Sequence, residues 1–439
     1  MTVDESVDPE ASATRAYDSV DLSSTAFWAG TAADREHTYA ELRRRAPVSW
    51  HPRVEHTMID DENDRGFWAV VTHPLLVEAT RRHDDFVSGQ GIVMESIPQE
   101  LLDSAQGFIA MDPPRHTKIR RLLASAFTPK QMRRISDQIH ANAKRVVDDL
   151  APRGQADFVD ECAALLPMHN IFDMMGVPES MRRDLAAESR FAGGWSDPEV
   201  MGDNEVLPRL FQSMAFLREA AQEIIAARRA APGNDLMTSL VHAQVDGEKL
   251  TDDEIVSFFG LLNIAGNDTT RQSTSHAMKA LTDFPGQRAW LMEDFEGRIA
   301  GAVEEFVRWA TPIMTFRRTS ARDCLLGGQE IAEGDKVILF YSSANWDETV
   351  FTHPEKFDLS RDPNPHVSFG GGGIHHCLGN QLARQQLAAL FRELLHRLPD
   401  IEVCGPPSYT VSTFFHGVNH LPVQFTPTKR GCREDHRRP

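Results

Sequence analysis

Phe369-Gly370-Gly371-Gly372-Gly373-Ile374-His375-His376-Cys377-Leu378-Gly379 runs straight into a helical pattern. Ala383, Leu387, Leu390, Leu394 and Leu398 step by four, three, four and four, which marks one apolar helix face. Cys377 thus falls at or just before a helix N-terminus, where partial positive charge and free N–H groups favour a thiolate. A thiolate there is a metal ligand or a nucleophile. Four consecutive glycines let the backbone approach a flat partner and turn freely. The segment alone also allows a flexible hairpin beside a buried cysteine. A nucleotide loop fits worse, because neither G-x-G-x-x-G nor G-x4-G-K-[ST] is present in it.

Upstream, a helix is expected over 252–283. Thr251 and Glu254 make a capping box at its start, and Phe284-Pro285-Gly286 closes it. Its middle holds Ala265-Gly266-Asn267-Asp268-Thr269-Thr270, a run that costs about 3 kcal/mol relative to alanine by propensity. Something must offset that cost. A carboxylate beside a hydroxyl on a kinkable, glycine-containing turn suits proton delivery to a ligand against the helix; a tolerated kink with a hydrated Asp268 is the plainer reading. Further on, Glu305-Phe306-Val307-Arg308 places an acid and a base three apart on one helical face. Exposed pairs of that kind are common and contribute little.

The remaining counts narrow the class. The 439 residues carry 46 Lys+Arg against 64 Asp+Glu, a net charge of −18, and 41% are hydrophobic. That is an ordinary globular composition, and its acidity argues against nucleic acid, whose binding needs phosphates neutralised by basic groups. No basic region followed by an apolar stretch opens the chain, and no apolar run nears the ~20 residues of a membrane span, so a cytoplasmic protein without a membrane-spanning segment is expected. The five cysteines are scattered and never spaced C-x2-C, which indicates neither a disulfide framework nor a zinc site. No C-x-x-C-H attaches a c-type haem, and no H-E-x-x-H marks a metal hydrolase.

Helical periodicity recurs over 131–151, 159–176, 179–192, 203–231, 252–283, 298–310 and 380–398, while the strand-like FWAVVT (67–72) and KVILFY (336–341) lie far apart. The expected fold is mainly α with a small β region, an α+β arrangement whose sheet is assembled from distant segments. Residues 1–35 read as an acidic, loose segment, 36–425 as a single domain, and 426–439 as a basic, disordered tail.

Taken together, in this order and at these separations, AGNDTT (265–270), EFVR (305–308) and FGGGGIHHCLG (369–379) closely resemble the cytochrome P450 family of haem-thiolate monooxygenases. The resemblance spans about residue 35 to 426 and takes in MDPPRHTKIRR (111–121), FRRTSARD (316–323) and FTHPEKFDLSR (351–361). It implies the P450 fold: a triangular helical domain with haem b held non-covalently between the long central helix and the Cys-bearing loop. It makes Cys377 the axial ligand of the haem iron, pushing electron density toward O–O cleavage. Asp268 and Thr269 match the acid–alcohol pair that relays protons for oxygen activation, with Ala265 and Gly266 making room above the iron. Glu305 and Arg308 become a buried structural pair. His116, Arg120, Arg318 and His375 fall where propionate ligands lie, and Phe369 and Gly379 belong to the cofactor loop. Two features depart from the usual signature: Phe369 lies eight residues before Cys377 rather than seven, and His376 replaces a common aromatic.

By the same resemblance Ile92, Val93, Met94, Phe108, Leu262, Ile313, Met314, Phe414 and Phe415 fall in substrate-contacting regions, although as plain residues most would be core. Phe191 and Trp195, around Gly193 and Gly194, would belong to a mobile lid. Residues 115–134 hold seven Lys or Arg and no acid, a patch that could steer an acidic redox protein, with Lys118 and Arg121 as its candidates. No flavin domain or ferredoxin-like cysteine cluster follows, so a separate ferredoxin and its NAD(P)H-dependent reductase are the implied electron source, to a monomeric enzyme. FVRWATP (306–312), NPHVSFGGGG (364–373) and FFHG (414–417) look most like a mycobacterial-type subgroup. Its members hydroxylate methyl-branched lipids, isoprenoids or sterol side chains, often at the terminal carbon. The expected reaction is insertion of one atom of molecular oxygen into an unactivated C–H bond of a small apolar, lipid-like substrate. A peroxide-driven peroxygenase and a non-catalytic haem-thiolate binder or sensor are the alternatives.

Overall fold

The Thr251 capping box starts a helix that continues unbroken from Asp252 to Asp283, 32 residues, or about 48 Å at 1.5 Å per residue. The computed structural model of the chain describes residues 15–429 apart from 56, 99–101 and 103–106. Poor helix formers in mid-helix do not break the element, because tertiary packing outweighs propensity. Helices Leu165–Met175, Glu179–Gly193, Val206–Ala230, Phe295–Ala310 and Asn380–Arg397 all pack on it. Their buried faces form the main apolar cluster, which includes Ile171, Phe259, Phe306 and Phe391. The hydroxyls near its middle bond back to its own carbonyls: Thr269 Oγ1 donates to Ala265 O at 2.8 Å and Ser273 Oγ to Thr269 O at 2.8 Å. The kinkable turn expected at Gly266 is therefore a continuous helical turn.

The sheet joins the two ends of the chain. Its strands are β1 (Val48–His51), β2 (Phe67–Val70), β3 (Phe86–Val87), β4 (Thr315–Ser320) and β5 (Lys336–Phe340), in the order β1-β2-β5-β4-β3. β5 pairs parallel to β2, with Lys336 opposite Phe67, and the other pairs are antiparallel. Both β2 and β5 are buried throughout, as their near-continuous apolar sequences require.

The segment expected to be loose is folded over its described part. Leu22 is fully buried, Trp28 and Tyr39 nearly so, and a capping box at Thr31 starts helix Ala32–Arg45. These side chains pack on Phe67, Ile338 and Phe340 of the sheet; apolar burial among acidic neighbours overrode the composition. Residues 1–14 lie outside the described residues. Of the basic tail, Thr426 bonds to Asp400 and the Thr428 N–H to Ala151 O at 2.9 Å, while 430–439 lie outside the described residues.

Candidate active site

Cys377 sits three residues before the first helical residue, Asn380. Its N–H donates to Phe369 O at 2.8 Å, and Asn380 Nδ2 donates to Cys377 O at 2.7 Å, which closes the eight-residue spacing into a defined loop. Burial pushes the thiol pKa up, against the Gly379 N–H and the charges of Arg120 and Arg384. The expectation that the helix N-terminus by itself favours a thiolate is thus corrected: desolvation dominates, and a thiolate here calls for a bound cation.

The glycine run is used twice. Gly370, Gly371 and Gly372 have φ of +104°, +58° and +85°, and a Cβ on Gly373 would lie 2.0 Å from Thr80 O. Its bareness thus serves close packing on helix His73–Arg81 as well as free turning. Phe369 lies under the Arg384 guanidinium, 4.3 Å from its ring centroid, and Arg384 pairs with Glu304 at 2.6 Å. Asn345 ties the same loop to the end of helix Phe295–Ala310. It donates to Thr311 Oγ1 and Ser368 Oγ, both at 2.8 Å, and accepts from Val367 N at 2.8 Å. Sequence reasoning missed Asn345 and Glu304–Arg384, since no local spacing links them.

Beside this loop, four basic groups converge from three elements. His116 and Arg120 come from helix Arg115–Ser125, Arg318 from β4, and His375 from the loop. The His116 and His375 rings lie 4.3 Å apart, and both ring nitrogens of His116 are buried without a partner. His375 contacts Ser88 Oγ at 3.2 Å, and Arg120 donates to His376 O at 2.6 Å. Burial, then the charges of Arg318, His116 and Arg120, push the His375 pKa down to about 2. Burial likewise lowers His116, Arg120 and Arg318. The neighbouring acid, Asp112, is taken up by the backbone N–H groups of Ser88 and Gly89, at 2.8 Å each. Four desolvated basic groups, two of them histidines depressed by their cationic neighbours, with no ion-paired carboxylate among the described residues, fit a ligand bearing two carboxylates. The haem implied by the resemblance is such a ligand.

On the central helix, Asp268 is buried and pairs with Arg271 at 2.7 Å. Burial raises its pKa, against the charges of Arg271 and Arg190. A Cβ on Gly193 would lie 2.3 Å from Asp268 Oδ2, so the helix ends at Gly193 against this carboxyl. A Cβ on Gly266 would meet Ile171 at 2.8 Å and Leu262 at 3.4 Å. The missing side chain lets helix Leu165–Met175 pack close.

The expected pocket residues divide. Met94 and Met314 are buried in one apolar cluster with Leu22, Trp28 and Tyr39. Phe108 lies between His116 and Phe258, with ring centroids 5.9 and 6.1 Å away. Ile313 bridges to Phe415, and Phe414 packs edge-on to Phe316 at 5.2 Å. Ile92 is buried and its carbonyl accepts from Arg317 N, Val93 is half-buried, and Leu262 packs on the main cluster. In the expected lid, Phe191 stacks under the Arg209 guanidinium at 3.8 Å. The acid-free basic stretch meets acids in space, as Lys118 pairs with Glu248 at 3.1 Å and Arg121 with Asp246 at 2.9 Å. The patch is thereby partly neutralised.

A family model described as Cytochrome P450 matches residues 204–400. The methyl-branched lipid omega-hydroxylase of Mycobacterium tuberculosis is 40% identical over 410 residues, 93% of this chain and 95% of that protein. The chain belongs to the cytochrome P450 family. This P450 is also 36% identical to the steroid C26-monooxygenase of Rhodococcus jostii, over 91% of this chain and 83% of that one. Among solved structures it is similar to the Mycobacterium marinum cytochrome P450 CYP268A2 in complex with pseudoionone. That match has 53% identity and a TM-score of 0.90, and covers 94% of this chain and 99% of the other. The P450 is a monooxygenase, and its cofactor is cysteine-ligated haem b. No helix among the described residues is long and apolar enough to cross a membrane.

Replacing Arg120 and Arg318 together by Gln removes two of the cradle's permanent charges. The expected result is haem loss several-fold faster to an apo-globin acceptor, with secondary structure intact. Unchanged retention would remove both residues from cofactor binding.

Proposed function

We propose that this P450 hydroxylates an unactivated C–H bond of a methyl-branched lipid, fatty acid, isoprenoid or sterol side chain, at or near its terminal carbon. Two electrons would come from a separate ferredoxin and its NAD(P)H-dependent reductase, to a monomer acting in the cytoplasm. The observation that carries the reading is a half-buried Cys377 beside a carboxylate-seeking cradle, in a chain similar over nine-tenths of its length to enzymes named for lipid and steroid oxidation.

When bound, the haem supplies the chemistry of oxygen activation. The chain's own residues divide the rest. The Cys377 loop holds the sulfur in place through its bonds to Phe369 and Asn380. His116, Arg120, Arg318 and His375 would fix the cofactor's orientation through its propionates. Asp268, its pKa raised by burial, can hold a proton at Oδ2 while Oδ1 remains with Arg271. Thr269 Oγ1 donates to Ala265 O, so its hydroxyl must rotate off that carbonyl to pass a proton on. Val93, Phe108, Ile313 and Phe414 would give the substrate an apolar contact surface and exclude water from the reacting C–H bond.

Thr269→Ala should leave NAD(P)H consumption running while product per NAD(P)H falls several-fold and peroxide appears. Unchanged coupling would take Thr269 out of the relay. Binding of branched lipids and sterols, read as a shift in the haem spin state, followed by mass spectrometry of products, tests the substrate class. Retention of Asp268 and Thr269 favours the oxygen-dependent route over a peroxygenase. Turnover supported by peroxide, but not by ferredoxin, reductase and NAD(P)H, would reverse that choice, and haem binding with no turnover by either route would indicate a sensor.

A further inference from the structure

Asp268 borders a cavity of about 30 Å³, whose lining includes Arg190, Gly193, Asp197, Arg271 and Asn419. That is room for one or two water molecules with several polar partners. Its outer side is formed by the segment after helix Glu179–Gly193, which runs through Asp197 into the short helix Pro198–Met201. Two consecutive side chains of strand Val418–His420 hold this segment. Asn419 Nδ2 donates to Asp197 Oδ2 at 2.8 Å and to Glu199 Oε2 at 3.1 Å. His420 Nε2 lies 2.7 Å from Glu199 Oε1, and His420 Nδ1 lies 2.5 Å from Asp157 Oδ2. Asp157 belongs to strand Gln155–Asp157, which pairs with Pro422–Gln424 and so is part of the body of the protein.

A neutral imidazole has one N–H, and an ionised carboxylate only accepts. His420 can satisfy both carboxylates only as an imidazolium. We propose that His420 is a positioning residue for oxygen activation: its imidazolium clasps Glu199 to Asp157, and so holds residues 197–201 closed over the cavity that hydrates Asp268. The proposal rests on the reading of Asp268 and Thr269 as the proton relay.

The surroundings support this protonation state. The bonds to Asp157 and then Glu199 raise the His420 pKa above its ordinary 6.5. Asp160 also faces the ring, with an oxygen within 4.8 Å of the other ligand-capable atoms. Arg190, the opposing cation, is turned to Asp160 at 3.5 Å; Asp197 is taken up by Asn419, and Glu161 is paired with Arg153. Because the folded-state pKa is the higher one, the clasp is fully formed below about pH 6.5 and is lost as pH rises through the raised value.

Hydrogen exchange of the holoenzyme, followed by mass spectrometry in peptides covering 194–205, tests this at about pH 6 and about pH 8.5, either side of the imidazole range. After correction for intrinsic exchange, wild-type protection should fall several-fold at the higher pH. His420→Phe should lack protection at both. His420→Arg keeps a charge that spans two carboxylates at either pH, so it should retain protection at both. Peroxide released per NAD(P)H should rise with pH in the wild type and stay level in His420→Arg. A pH step that persists in His420→Phe would overturn the proposal. So would wild-type protection lost to a chelator at pH 6, since a bound cation would then be the clasp. If exchange behaves as expected but peroxide release does not follow it, the link to oxygen activation is overturned. Failure of the relay reading is separate, since it shows as unchanged coupling in Thr269→Ala.

Discussion

Cys377→Ser should yield a folded protein whose dithionite-reduced, carbon monoxide-treated form lacks the long-wavelength Soret band of a thiolate-ligated haem. The hydrogen bonds that shape the loop are made by the backbone of residue 377, to Phe369 O and from Asn380, and serine leaves both in place. What changes is the ligand. Desolvation already holds this thiol above its ordinary pKa, yet a metal ion deprotonates it outright. A serine hydroxyl starts far less acidic and leaves the iron without an anionic sulfur. Circular dichroism should match the wild type, so loss of the band cannot be assigned to unfolding. Persistence of the band in the variant would dismiss Cys377 as the ligand and with it the assigned cofactor site.

Glu305→Ala should be the most destabilising single change outside the cofactor site. Both side chains of the Glu305–Arg308 pair are fully buried. Arg308 Nε and Nη2 each donate to a Glu305 oxygen at 2.8 Å, and Arg361, Asn364 and the Asp358 N–H also donate to that carboxylate. Alanine strands two buried guanidinium groups at once. Removing one partner of a buried pair costs about 3–5 kcal/mol, against a net stability of about 5–15 kcal/mol for a whole domain. The expected outcome is a large drop in thermal midpoint and in soluble yield. Glu305→Gln, which keeps the shape and one acceptor, should lose less. A midpoint unchanged in Glu305→Ala would show that the pair does not hold the structure together.

The pair also shows where sequence stops being informative. Its spacing in EFVR predicts one helical face, and nothing in it distinguishes a solvated pair from a buried one; the difference comes from Asn345, Lys356 and Arg361, which the fold brings in from 37 to 56 residues away. Periodic elements were legible for the opposite reason. Helices Asp252–Asp283 and Asn380–Arg397 carry their apolar faces within their own residues, the first with a capping box at its start, and they lie within a residue of where the pattern predicts them. The roles read for Cys377, Asp268 and the four cradle residues come from motif resemblance, which reports the combined outcome of many contacts. For Met94 and Met314 the sequence does not separate pocket from core, because an apolar side chain at a pocket wall and one in a core have the same chemistry. Lys118 and Arg121 look unopposed along the chain, and their partners arrive on a hairpin more than 120 residues later. Gly373 was read as freedom for a flat partner, whereas the contact that forbids a side chain there is Thr80 O.

Contacts of that reach set the order in which the molecule can assemble. Thr80 meets Gly373, Ser88 meets His375 across 287 positions, and Arg120 meets His376 across 256. Closing a flexible loop of that length costs about 5 kcal/mol of chain entropy by the logarithmic law, which contacts must offset before the cradle exists. The helices around Asp252–Asp283 close shorter loops and can condense first. Haem uptake therefore reports the final joining of the chain's two ends. During refolding it should trail the gain of helical signal, so holoprotein content measures completed topology rather than secondary structure.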